Sequence, residues 1–532
     1  MRRAVGWVLF WVLVVALGPW VLVAGLLALL VPAVRRAARP RHPWWTLLVL
    51  VVVGAVAAGI VLVVPDGRLP IPPGVGLLVV PSYVGDPATA RPIEMDVPQH
   101  PHLAANGRSS MHDDGWASDT YAGPGPLGRD PEVDTAWYGL EECATLAFDR
   151  RDRIVGLCGD LRGPVLHVID PETLHPLATR RLPDRPHVAG SAPWEVLCAG
   201  AYFYLDAEDR AIVATTDRRI LEVGTSDARG RPALPVRRSY DVSDGVPRSD
   251  CLVAVLPDWE GRIWFVTQDG RVGTVDPSSG AVAVLPLDEQ VDNSLAVDEQ
   301  GVYVVTVEAL YRMSADSTGG PRVDWRASYD RGAEQKPGQL ARGSGTTPTV
   351  LPGGRVAITD NAEPRMNVVF HDTGTGREVC RAPVFEEGAS ATENSLVSVG
   401  DGVVVENNYG YSGPVSTLLG RTTTPGLARV DLDGDLCSVR WTSDEVAPTS
   451  VPKLSLANGL VYAYTKRPTW LGVAAWYLTA IDARTGRTAF SVRTGTGLLM
   501  NNHYSAVTLG PDGSAYVATL AGMVRVRDSG PG

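Results

Sequence analysis

The chain has 532 residues, 45% hydrophobic and 20% charged, with a formal net charge of −11. Of its 48 Lys+Arg six precede residue 67, and of its 59 Asp+Glu only Asp66 does, which leaves 42 against 58 and a net charge of −16 in the remainder. That excludes a nucleic-acid partner, whose phosphates demand a basic footprint.

Residues 4–34, beginning "AVGWVLFWVLVVALGPW", and residues 44–64, "WWTLLVLVVVGAVAAGIVLVV", are almost free of charge. Each exceeds the ~18 apolar residues that suggest a bilayer span, and the first is about twice the core of a cleaved signal peptide. Two transmembrane helices are expected, with residues 1–66 a multi-pass anchor whose partner is the lipid bilayer. Arg35, Arg36, Arg39 and Arg41 between the two runs place that loop in the cytoplasm, although Arg2 and Arg3 pull the other way. The large remainder is then extracytoplasmic.

Residues 67–140 form a Pro/Gly-rich stalk followed by an arm. The arm segment "SSMHDDGWASDTYAGPGPLG" holds His112, Asp113, Asp114, Trp116 and Asp119, and is either a plug or lid over a site or a packed N-terminal arm. Residues 141–532 repeat a unit of four short strands with period-2 alternation and Gly/Asp turns, as in "DCLVAVLPDWEGRIWFVTQDGRVGTVDPSSGAVAVLPL". Unit starts near residues 142, 197, 250, 292, 346, 393, 453 and 501 predict an all-β, eight-bladed β-propeller, with seven blades as the alternative. The last unit lacks a fourth strand, and an open edge invites aggregation, so a strand from residues 133–140, "VDTAWYGL", is expected to close the ring.

All six cysteines lie in the expected exterior, where an even number permits disulfides. Cys143 and Cys158 face each other across a hairpin, and Cys380 with Cys437 would join neighbouring repeats; buried free thiols are the alternative.

"LTAIDARTGRTAFSV", "HDTGTGREVC" and "VDPSSGAVAV" resemble the repeats of the quinoprotein-alcohol-dehydrogenase-like (PQQ-repeat-like) β-propellers. The resemblance implies the fold and not the chemistry. Those enzymes hold pyrroloquinoline quinone (PQQ) beneath an adjacent Cys-Cys pair, and no two cysteines are neighbours here, so PQQ is not expected and a quinone-dependent oxidoreductase is a remote alternative. "MHDDGWASDTYAGPGPLG", "GSGTTPT", "ITDNAEP" and "ENNYGY" resemble a bacterial membrane-anchored branch of propeller proteins, which implies no activity.

In an antiparallel four-stranded blade, the entry to the innermost strand and the connection between the second and third strands lie on one face of the ring. Asp292, Asn293, Glu393, Asn394, Lys453, Asn501, Asn502 and His503 fall at entries, and Asp360, Asn361, Glu406, Asn407 and Asn408 at connections. All are expected at one mouth of the central channel. Carboxylate and amide oxygens in number suit Ca²⁺, and "DNSLAVDEQGVYVV" resembles the Asn-bearing blade motif of the paraoxonase and strictosidine-synthase-like propellers. That resemblance implies Asn293, Asp360, Asn361, Glu393 and Asn394 as metal candidates. Asn407, Asn408, Lys453, Asn501, Asn502 and Asp113 are candidates for ligand binding. The alternative is that these side chains cap turns and strand ends.

Two functions follow. One is an anchored binding module presenting its mouth to an extracytoplasmic ligand or protein. The other is a Ca²⁺-dependent hydrolase or lyase with Glu393 or His112 as general base.

Overall fold

The computed structural model describes residues 2–39, 43–185, 198 and 201–530. Arg41 and the expected unit start near residue 197 lie outside the described residues. Eight separate sheets form the blades of a β-propeller. The innermost strands are Glu142–Phe148, Phe203–Leu205, Leu252–Pro257, Ala296–Asp298, Thr349–Leu351, Val397–Val399, Lys453–Ser455 and Val507–Leu509, one per blade in chain order. Each packs beside the next around the ring, and the eighth blade packs against the first. Eight blades are therefore correct and seven are not.

The second strands explain the order. Ile263–Thr267, Gly402–Glu406 and Ala515–Thr519 are buried at every position, because a strand inside a blade is sandwiched between neighbouring blades on both faces. Fourth strands such as Pro176–Arg181 and Val236–Asp241 are instead half-buried to exposed at all or nearly all positions, because they form the outer rim. The eighth blade is completed by Pro131–Trp137, antiparallel to Gly522–Asp528, with Val133 opposite Val526 and Trp137 opposite Gly522. The expected closing strand exists, shifted toward the N-terminus.

All three disulfides form. Cys143–Cys158 links the first two strands of blade one, Cys380–Cys437 ties the outer strands of blades five and six, and Cys198–Cys251 joins the approach to blade two to blade three.

The arm is no free stalk. Residues 91–108 follow the face opposite the mouth, with Arg91 and Ile93 bonded to Asn458 and Leu456 and Ala104 bonded to Leu205. Residues 109–121 then turn into the channel. Inner-strand amides of Leu205, Val297, Val350, Ser398 and Leu454 donate to the carbonyls of Ser109, Gly115, Trp116, Ser118 and Asp119 at 2.6–3.0 Å. An open channel would leave those amides to water; the arm satisfies them. The segment is a packed N-terminal arm that also fills the channel as a plug, inside the ring and not as a lid over it.

The N-terminal region departs from the expectation of two membrane helices. The first apolar run is broken into α1 (Arg2–Leu17), α2 (Trp20–Ala28) and α3 (Pro32–Ala38), because Gly18 adopts φ +96° and Pro19 cannot continue a helix. α1 and α2 fold into a hairpin in which Gly25 lies under the Phe10 ring. The second run is α4 (Pro43–Val63). Among the described residues no single helix is long and apolar enough to cross a membrane, and α2 and α3 meet at 107°.

Candidate functional site

The Asx and Glu clusters gather at one end of the ring, but not around an open funnel. Residues 330–343, between blades four and five, lie over them. Asn361 donates its amide to the carbonyls of Arg331 and Glu334 (2.8 and 3.0 Å), Asn408 to Gly338 (2.9 Å), and Glu393 accepts the Leu340 N–H (2.8 Å). Three of the predicted site residues therefore clasp one covering segment. The signal for it was a connection of some twenty residues rich in Gly and charge, long for a blade-to-blade joint.

The other candidates divide. Asp360 accepts from the N–H and side-chain amide of Asn367 (2.6 and 2.7 Å) and from Ala362, which closes its own connection. Asn407 donates to the carbonyls of Ala389 and Pro425 and accepts from Ala391 and Tyr409. Asn501 and Asn502 are likewise committed, to His503, Thr417, Thr449 and Ser505. For these the turn-capping alternative holds.

Asn394 donates to Glu406 Oε2 at 2.6 Å, with both residues buried. Glu406 is the residue the candidate sets missed, although it stands beside Asn407 in "ENNYGY". Burial pushes the carboxyls of Glu406 and Glu393 well above the usual range, with Asp292 adding to the effect on Glu393. Glu406 Oε1 and the amide oxygens of Asn361, Asn394 and Asn408 have no hydrogen-bond donor. Tyr504 stands among Glu393, Tyr411, Glu406 and Asn408, and burial lowers the pKa of neighbouring His503 to about 4. Asn293, Asp292 and Glu393 line a cavity of about 10 Å³, room for about one water.

Lys453 is not at the mouth. It is fully buried, its Nζ bonded to Asp119 and to the Met111 carbonyl of the plug, with Asp113 at 3.6 Å. His112 Nδ1 lies 3.1 Å from Asp119 and 3.2 Å from Ser395 Oγ, and its Nε2 lies 3.2 Å from Thr347 Oγ1. Burial alone would raise the pKa of Asp119, but Lys453 and His112 hold it below the usual value; burial raises Asp113 well above it and Asp114 to about 7. This network locks the plug to blades five, six and seven. It leaves His112 beside a cavity of about 10 Å³, too small for a substrate.

Among the described residues, one grouping of metal-type side chains is close-set: Glu141, Cys158 and His167. Cys158 is in a disulfide and offers no thiolate, so the grouping is structural.

No family model matches the chain. It is 31% identical over 316 residues to a protein of Archaeoglobus fulgidus described only as uncharacterised, covering 52% of this chain and 60% of that protein, less than two thirds of its length. Among solved structures, BamB from Moraxella catarrhalis gives a TM-score of 0.46 at 12% identity, covering 78% of this chain and 98% of that one. A streptogramin B lyase gives 0.34 at 12% identity, covering 60% and 89%, and the computationally designed Ika8 protein gives 0.38 at 12% identity, covering 74% and 97%. With such scores, the eight-bladed architecture rests on the chain's own strand pairing.

Proposed function

We propose that this chain is a membrane-anchored, extracytoplasmic propeller that binds a ligand at the lidded mouth, and that the ligand is a cation. The observation that carries the reading is the buried pair of Asn394 and Glu406, bonded to each other at 2.6 Å and each keeping one oxygen with no donor, with Glu393 next in the chain. Acceptors removed from water without donors are costly, and a cation offsets that cost for all of them together. The donor set differs from the one the sequence suggested: Asp360 is spent on its own connection, Asn361 clasps residues 331–334, Asn293 lines only the small cavity beside Glu393, and Glu406 and Asn408 are added. Glu393, Asn394, Glu406 and Asn408 would hold Ca²⁺, which would fix the mouth and residues 330–343 as a rigid recognition surface for an extracytoplasmic partner. Anchoring is supported by the crowding of exposed Trp, Leu and Val side chains into residues 7–63, and export by three disulfides.

Calorimetric titration of the chelator-treated full-length protein with CaCl2 tests this. Binding is expected for the wild type, with at least a tenfold loss of affinity in Glu406→Gln and Asn394→Ala. Absence of binding, or equal binding by all three proteins, would contradict it.

A further inference from the structure

Beyond residue 63, seven large apolar side chains are more than 60% exposed among the described residues; Leu78 (78%) follows the apolar helices and Leu436 (76%) lies at the far end of blade six, and the other five group together. Leu140, Leu161, Val415 and Leu419 are 64–66% exposed and Trp470 85%. Leu161 lies in the second-to-third connection of blade one, Val415 and Leu419 in that of blade six, and Trp470 in that of blade seven; Leu140 lies between the closing strand and blade one. Strand direction puts all five on the mouth side, along one continuous arc of blades six, seven, eight and one. The same connections of blades two to five instead carry Asp217 and Arg218, Asp269, Glu308, and Glu363 with Arg365.

The apolar helices join the ring on that arc. Trp20, at the tip of the α1–α2 hairpin, donates to the Trp470 carbonyl at 3.0 Å, and Pro19 and Gly18 lie against Gly472 and Val473. Just after α4, the Gly67 N–H donates to the Trp137 carbonyl of the closing strand and the chain meets His175 and Pro176 in the third-to-fourth turn of blade one, so the apolar region touches blades seven, eight and one of this arc. Exposed Arg162 and Arg421 flank Leu161 and Leu419, as cations flank apolar groups at a headgroup layer.

We propose that the mouth-side arc of blades six, seven, eight and one docks on the bilayer surface, with Leu161, Leu419 and Trp470 entering the interface. The proposal rests on the membrane-anchored reading above. Its consequence is that the propeller sits tilted on the membrane, with the mouth open to the outside only over blades two to five, where residues 330–343 lie.

The full chain, carrying Leu161→Cys, Leu419→Cys or Trp470→Cys, is spin-labelled and reconstituted into phosphatidylcholine/phosphatidylglycerol vesicles. Leu436→Cys, on an exposed turn at the opposite end of blade six, is the reference. The three sites are expected to collide with oxygen at least threefold more, relative to a water-soluble nickel chelate, than position 436. Vesicles that float with the protein while all four labels show the same aqueous ratio would overturn the docking and leave the anchor standing. Protein that fails to float with the vesicles would overturn both.

Discussion

Asp114 is buried in the plug, where it accepts from the N–H of Ser118 at 3.2 Å and also contacts the Ser118 hydroxyl. With a pKa of about 7 in the fold and about 4 when unfolded, it binds more protons folded than unfolded between those values. Stability therefore falls as pH rises from about 4 to about 7, by up to about 4 kcal/mol from this group, and is level above. Asp114→Asn keeps the hydrogen bonds and removes the titration. Denaturant unfolding at pH 5 and pH 8 is expected to show a smaller loss on going to pH 8 in the variant than in the wild type; equal losses would contradict the assignment. Residue chemistry was partly legible in the sequence: Asn361, Glu393 and Asn408, from blades five and six, do share one covering segment, because the two kinds of connection lie on one face. Their partners were not legible. Whether Asn361 or Asn408 caps a turn or clasps a cover depends on where residues 330–343 lie, and that segment has no periodicity to place it. The depth of Lys453 was hidden for a similar reason, since its partners Asp113 and Asp119 come from an arm more than three hundred residues away in sequence.

The elements were read best where alternation is strong. The four-stranded unit and a closing strand both follow from period-2 patterning and from the eighth unit's missing partner. Closure depends on Gly522, which has φ +138° and would place a Cβ 2.1 Å from the Ala136 carbonyl of the closing strand. Gly522→Ala is expected to destabilise the ring by about 1–3 kcal/mol and to lower the melting temperature. Scanning calorimetry checks it; an unchanged transition would mean that residues 131–137 do not close the ring. The first apolar run was read worst, because counting apolar residues ignores the axis. "LGPW" carried the correction in plain view: a Gly-Pro pair turns a chain back, and the run becomes a hairpin whose tip rests on blade seven.

At the scale of the molecule, one chain is tied end to end. The N-terminal helical hairpin touches blade seven, the arm rounds the far face and plugs the channel, the closing strand joins the eighth blade, and residues 330–343 lie over Asn361, Glu393 and Asn408. Between plug and cover the ring buries carboxyl and amide groups contributed by several blades, beside cavities of about 10 Å³. The ring explains why residues so far apart in sequence meet, and the cover explains why they are buried. The cation proposal is tested most directly by the density between Glu393, Asn394, Glu406 and Asn408 in full-length protein purified without chelator. The account predicts a peak with oxygen ligands at about 2.3–2.6 Å, including Glu406. Density showing only Asn394 bonded to Glu406, with water against the remaining oxygens, would contradict it.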